Sequence, residues 1–280
     1  MKASACLLPT AALGSLLTLA GAAEPVPEDF GFSLIPNAFS RNPSLSMTVY
    51  TELTELGRKV PPASAAAPVY FVAVDRGLQS QGEPISGVIS PTPAVLQDTL
   101  FQALAEGGYQ PAPEGRPAGL ALIYYWGSHQ SMDPDLGALF PERNRQYFME
   151  RAYLVGGRAF RHEIMNQFNY GYTFADRTPR KNFLINQVSD DIYFVIVSAY
   201  DYAALAAGER RLLWRTMMTV ATNGVSMKDS LPPLVLTAGP YFGRETAEPV
   251  ALHRRARRGT VTLGPLKIVA DDIPHSSVRK

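Results

Sequence analysis

Beyond position 6 the chain contains no cysteine. Cys6 lies inside an N-terminal leader, so residues 24–280 can form no disulfide, carry no thiol nucleophile and offer no thiolate to a metal. Stability therefore rests on an ordinary apolar core. Excess charge is lacking as well. The chain has 26 Lys and Arg against 25 Asp and Glu, for a net charge of +1. Lys2 accounts for that excess, so residues 24–280 are balanced. Balance argues against a nucleic-acid partner, whose binding is dominated by basic charge. Phosphate-binding glycine loops, dinucleotide fingerprints and a Gly-x-Ser-x-Gly nucleophile turn are absent, and no cofactor is expected. No stretch after the leader is long and apolar enough to span a bilayer.

The leader itself is well marked. Met1-Lys2 gives a positive start, Ala3–Ala23 is uncharged and most apolar over Ala11–Ala20, and Ala20-Gly21-Ala22-Ala23 is a small-residue cleavage site. Ser4, Pro9, Thr10, Gly14, Ser15 and Thr18 dilute it too much for a stable spanning helix. This is the pattern of a cleaved signal peptide over residues 1–23. Cys6 precedes the apolar part and cannot become a lipid-bearing N-terminus. The expectation is an exported, unlipidated protein, periplasmic or extracellular.

Apolar residues make up 46% of the chain and charged residues 18%, a globular composition. Residues 24–67, with Pro25, Pro27, Pro36 and Pro43, read as an irregular N-terminal arm holding a short strand at Met47–Leu53. Residues 68–245 read as one mixed α/β domain. Val69–Val74 is a continuously apolar strand. Thr92-Pro93 then opens a helix, Thr as N-cap and Pro at the first position. Its Leu96, Leu100, Ala103 and Leu104 share one face, and Gly107-Gly108 ends it. Leu120–Trp126 is a second apolar strand. Strand, helix, strand predicts a parallel pair with a crossover, and apolar residues on both strand faces predict that both are covered.

Residues 135–168 read as helix broken at Gly156-Gly157, and Asn169–Ser189 as a polar and aromatic loop. In that loop Tyr170, Tyr172, Phe174, Arg177, Arg180, Lys181 and Phe183 interleave aromatics with cations, a pattern suited to stacking on sugars, peptides or bases but also to tucking a loop onto the core. Ile192–Val197 is a central strand and Arg211–Thr222 an alternating one, paired antiparallel with it. Residues 228–241 read as a helix interrupted at Pro232-Pro233. Residues 246–280 form a basic segment with an edge strand at Val261–Val269. The expected fold class is α+β: a single domain with a mixed sheet of four to six strands, one βαβ crossover, a late antiparallel hairpin and helices packed on the sheet.

Several segments, FSLIPNAFSRNPSLSMTVYTELTELGRK (residues 32–59), ALAEGGYQPA (103–112), ALIYYWGSHQ (121–130) and ERRLLWRT (209–216), together resemble a family of exported bacterial proteins that is a domain of unknown function. More distantly, residues 69–126 and 190–240 are similar to small α/β domains of bacterial envelope lipoproteins, from which this chain departs in lacking the lipid-bearing cysteine. Both resemblances imply an envelope role, and neither carries catalytic residues.

Candidate chemistry is sparse. His162-Glu163-Ile164-Met165-Asn166 misses the zinc-binding HExxH pattern at its last position, and no metal site is expected. Ser128, His129 and Asp133 follow a parallel strand, and Asp75-Arg76 follows its neighbour. Ligands of open α/β sheets bind beyond such strand ends. Asp75, Arg76, Ser128, His129 and Asp133 therefore form a candidate ligand-binding rim. A hydrolase would use His129 as base with Asp133 and Asp75. The plainer alternative makes these turn and cap residues. Arg254, Arg255, Arg257 and Arg258 form a candidate contact with an anionic surface or a solvated loop. The balance of these readings is a non-catalytic envelope or periplasmic protein that binds a protein or a cell-wall component, with a periplasmic hydrolase as the alternative.

Overall fold

In the computed structural model, residue 40 and residues 42–82, 89–170 and 178–256 are described. Among the described residues seven strands form one sheet, more than the four to six the sequence predicts. They are β1 (Ser44–Leu53), β2 (Val69–Leu78), β3 (Tyr109–Pro111), β4 (Leu120–His129), β5 (Ile192–Asp201), β6 (Leu212–Ala221) and β7 (Val250–Arg255). Their order is β3-β2-β4-β5-β6-β1-β7. β2 runs parallel to β3 and β4, and every other neighbouring pair is antiparallel. The surplus comes from β3, a three-residue strand too short to show periodicity, and from β7, whose His-Arg-Arg end reads as a solvated basic run. The edge strand predicted at Val261–Val269 lies outside the described residues. β1 is no appendage of an irregular arm; it pairs with β6 from Met47 to Leu53 and with β7 on its other side.

Among the described residues six α-helices connect the strands: α1 (Pro93–Glu106), α2 (Pro134–Leu139), α3 (Pro141–Tyr170), α4 (Pro179–Ser189), α5 (Tyr202–Ala206) and α6 (Met227–Ala238). α1 and α6 pack on one face of the sheet. There Leu96, Leu100, Leu231 and Leu234 bury against Leu122, Trp126, Val195 and Met218. Thr92 caps α1 by accepting from the Val95 amide, and Leu96, Leu100, Ala103 and Leu104 are its buried face, as the spacing predicts. α6 runs straight through Pro232-Pro233 instead of breaking there. Two prolines remove two intrahelical hydrogen bonds. Burial of Met227, Leu231, Leu234, Val235 and Ala238, with Ser226 as N-cap, outweighs that loss.

α3 and α4 cover part of the opposite face, through a cluster that includes Ala152, Val155, Ile164, Leu184 and Val188 and a second with Leu154, Phe194 and Met217. α3 is kinked at Gly156 (φ −150, ψ 18) and Gly157 (φ 70, ψ −161), where the sequence places the break. α4 corrects the predicted loop over Asn169–Ser189. Thr178 accepts from the Lys181 amide, Pro179 is the first helical residue, and Phe183, Leu184, Gln187 and Val188 are buried.

The expectation that both faces of β2 are covered fails. Val72, Val74 and Leu78 are exposed. α1 reaches the start of β2, where Phe71 meets Phe101 edge-on at 5.3 Å, and β3 pairs with β2 only as far as Phe71. The pairing of β2 with β4 shifts register between Asp75 and Leu78, with Gly77 at φ +73 and its amide held by Asp75 Oδ1 at 2.6 Å. A bulge and two charges at an open edge disfavour strand pairing with another chain.

Candidate functional site

The five rim residues separate. Asp75 and Arg76 are exposed in the β2 bulge, and the Asp75 carboxylate is committed to the Gly77 amide. Asp133 caps α2 by accepting from the Asp135 and Leu136 amides. Ser128 is buried and meets Ser80 Oγ at 3.2 Å. His129 ends β4 at 0% exposure, and its partner is Glu150 of α3, with Nε2 and Oε2 2.9 Å apart. Among the described residues no hydrogen bond joins Asp75 or Asp133 to His129.

The protonation of His129 is set by its surroundings. Burial lowers its pKa below the ordinary 6.5 and the Arg151 guanidinium adds to that, while the hydrogen bond to Glu150 opposes it. The net direction is down, so the ring is neutral at pH 7. A carboxylate only accepts, so Nε2 carries the hydrogen and donates it to Glu150. Among the described residues Nδ1 is a buried atom with no hydrogen-bond partner of good geometry. Tyr147 packs edge-on against the ring at 5.7 Å. Glu150 is equally engaged, since its Oε1 accepts from Gln146 Nε2 at 2.9 Å. An enclosed ring with its hydrogen committed to Glu150 ties α3 to the end of β4.

This arrangement has a pH signature. His253, packed against Phe183 at 5.1 Å, is also lowered from 6.5 by burial. As pH falls through 6.5 the unfolded chain takes up protons on these two histidines first. Stability must then decline from about pH 6.5 downward until the folded values are reached, by up to about 1.4 kcal/mol per pH unit for buried His129 and by much less for His253, which is solvent-exposed. His129→Gln should be less stable than the wild type at pH 7.5 and show a shallower decline to pH 5.5. Urea denaturation at the two pH values measures both. An unchanged slope would show that His129 is not held neutral.

Arg151, which gives no signal in the sequence, lies beside His129 and is 2% exposed. Its Nε donates to Val188 O at 2.6 Å and its NH1 to Gln130 O at 3.1 Å, tying α3 to the ends of α4 and β4. Burial pulls its pKa down, and Asp191, Asp190 and Glu150 counter that. Asp191 accepts from both the amide and the hydroxyl of Ser131.

A concave feature of mixed chemistry lies at the α3 kink, a cavity of about 270 Å³ between α3, α4, β1 and the segment entering β7. Buried Phe160 and Leu184 form its floor, with half-buried Tyr50 on the wall. The kink makes the space. A Cβ on Gly157 would stand 2.3 Å from Tyr50 Cε1, and one on Gly156 2.5 Å from Pro249 Cγ. Charges of both signs ring the mouth. Arg180 pairs with Glu248 at 2.9 Å and also donates to Pro249 O at 2.7 Å. Lys181 pairs with Glu163 at 2.7 Å. Burial, and after it the charge of Glu52 and Glu245, raises the Tyr50 phenol above its usual value, so it stays protonated. Arg180 and Lys181 belong to the aromatic and cationic stretch singled out in the sequence. Phe183 of that stretch is buried in the core, and Tyr172, Phe174 and Arg177 lie outside the described residues.

A broader depression of about 560 Å³ beside α3 is lined by Arg143, Arg145, Arg161 and the already engaged Glu150. Arg254 and Arg255 are exposed at the end of β7, with Arg254 donating to Thr237 Oγ1 at 3.1 Å, while Arg257 and Arg258 lie outside the described residues. Among the described residues no group of three His, Cys, Asp or Glu is placed to share a metal, and no helix is long and apolar enough to cross a membrane.

No known family profile matches the chain, and no curated protein matches it. Solved structures do. The PelC dodecamer from Paraburkholderia phytofirmans is 9% identical, with 69% of this chain and 96% of that chain covered at a TM-score of 0.30. A PDZ domain protein from Parabacteroides distasonis is 9% identical, with 75% of this chain and 39% of that chain covered at a TM-score of 0.34.

Proposed function

We propose that this chain is an exported envelope or periplasmic protein that binds another protein or a cell-wall component without chemically altering it, and that the cavity at the α3 kink is where it binds. The signal-peptide pattern of residues 1–23 and the charge balance of residues 24–280 support export and argue against a nucleic-acid ligand. The observation that carries the binding reading is the cavity itself, with an apolar floor of Phe160 and Leu184 beneath a mouth of paired charges. Such a mixture of apolar lining and a few convergent polar groups is how binding sites are built. Among the described residues its lining has no histidine and no cysteine. The hydrolase alternative needs His129 at a substrate, and its ring is enclosed.

The test places a photo-crosslinking amino acid at Ala159, an exposed position on the cavity wall, in the tagged full-length protein expressed in its host. A control carries it at exposed Ala65 in the loop after β1. Irradiation should give a discrete adduct, to one protein or to wall material, from Ala159 and not from Ala65. Equal labelling from both positions, or none from Ala159, would overturn the binding site. Recovery of the mature protein with Met1 still at its N-terminus would overturn export.

A further inference from the structure

We infer that the cavity at the α3 kink takes a small zwitterion with an apolar side chain, an amino acid or free dipeptide, whose carboxylate meets Arg180 and Lys181 and whose ammonium meets Glu163 and Glu248. The inference rests on the reading of this cavity as the binding site and narrows its occupant from a whole protein or wall polymer to a peptide fragment of one, one or two amino-acid units long.

Size is the first constraint. At about 270 Å³ the cavity falls just under the usual range for small-molecule sites, which begins at about 300 Å³. One or two amino-acid units fill such a space, and a folded domain or a long glycan does not enter it. The floor is the second. Phe160 and Leu184 are both 5% exposed and present apolar surface, with the Tyr50 ring beside them. An apolar side chain gains by burial there, whereas a sugar would leave its hydroxyls facing groups that cannot bond them.

The mouth is the third and most specific. Its four charges come as two cations and two anions, so a ligand of one net sign meets as much repulsion as attraction. A zwitterion matches both signs at once. The present partners do not prevent this. Side-chain exposures are 45% and 67% for Arg180 and Glu248, and 20% and 48% for Lys181 and Glu163. Exposed pairs of this kind contribute little, because water screens them and both side chains lose rotamer freedom. Exchanging each internal pair for a ligand group therefore costs little.

The experiment is a calorimetric titration of the full-length protein with two probes, the free dipeptide Ala-Phe and its N-acetylated, C-amidated form. The free dipeptide should bind, and capping both charges should weaken it by about tenfold or more, a difference of about 1.4 kcal/mol. Lys181→Met and Glu163→Gln should each weaken the free dipeptide by a similar factor and leave the capped form unaffected. Glu163 is half exposed and methionine keeps the apolar stem of the mostly covered Lys181, so these variants fold. Ala159→Trp, which blocks the mouth from an exposed position, should abolish binding of both probes. Equal affinity for free and capped forms overturns the role of the charges. Absence of binding by either probe overturns the ligand class. The photo-crosslink at Ala159 separates the two failures. An adduct without dipeptide binding leaves the site standing with a different ligand, and the absence of both removes site and ligand together.

Discussion

Gly157→Ala is expected to destabilise the protein by about 3–5 kcal/mol, roughly a 10 °C fall in Tm for a chain of this size. Two costs add. Gly157 sits at φ 70, ψ −161, a conformation open essentially to glycine alone, which costs any other residue about 1–3 kcal/mol. The new Cβ would also stand 2.3 Å from Tyr50 Cε1 and 2.9 Å from Tyr50 Cδ1. Tyr50 is held in β1 opposite Met217, so its ring can yield only toward the cavity. Gly208 provides the control. It also has positive φ, at +85, but a Cβ there meets nothing within 4 Å. Gly208→Ala should cost about 1 kcal/mol, the backbone strain alone. Urea denaturation of the two variants separates strain from collision. Equal losses would show that the Tyr50 contact does not constrain the kink.

Arg151→Met is the second large effect, with an expected loss of about 3 kcal/mol or more. Methionine preserves much of the apolar stem, so the change isolates the guanidinium. Two charge-assisted hydrogen bonds disappear, each contributing about 1.5–3 kcal/mol, and the carbonyls of Val188 and Gln130 lose their donor inside the protein. Arg151→Lys should recover little, because one ammonium on a single stem cannot span two carbonyls on different elements. Arg211 is the surface comparison. It pairs with Glu209, both more than half exposed, and Arg211→Met should leave the unfolding midpoint nearly unmoved. Similar behaviour of the two methionine variants would mean that Arg151 does not tie the helices to the sheet.

Much of the fold is legible in local pattern. β5, as IYFVIVSAYD, is buried over its first eight residues. A run that apolar and β-branched can only be central. The Thr92-Pro93 start of α1, its four buried residues and the break at Gly156-Gly157 all appear where spacing and glycine place them. α4 is the instructive exception, because Thr178-Pro179 is the same start signal as Thr92-Pro93. The polar and aromatic residues before it mask an apolar face of only four buried positions. Pro232-Pro233 misleads in the opposite direction. Local chemistry disfavours a helix there, and burial against the sheet overrides it.

The site is less legible. His129 is conspicuous in the sequence, at a strand end with carboxylates nearby. Its actual partner, Glu150, is 21 positions away on α3. Proximity along the chain points to Asp133, which instead caps a helix. Arg151 gives no local signal at all, since a single arginine in a polar helix looks solvated until two other elements close over it.

The sequence by itself determined the elements that depend on short-range physics. These are the βαβ unit, the β5–β6 hairpin and the glycine kink. Each depends on residues within about one turn or one strand of one another. Only the tertiary structure decided which polar groups are buried and with whom. It turned His129 from a candidate base into a neutral orienting group, placed Asp75 and Arg76 in a bulge at an open edge, and assembled Tyr50, Phe160, Glu163, Arg180 and Glu248 around one cavity from β1, α3, α4 and the approach to β7. Burial and long-range electrostatics depend on contacts between segments far apart in the chain, and no local pattern encodes them.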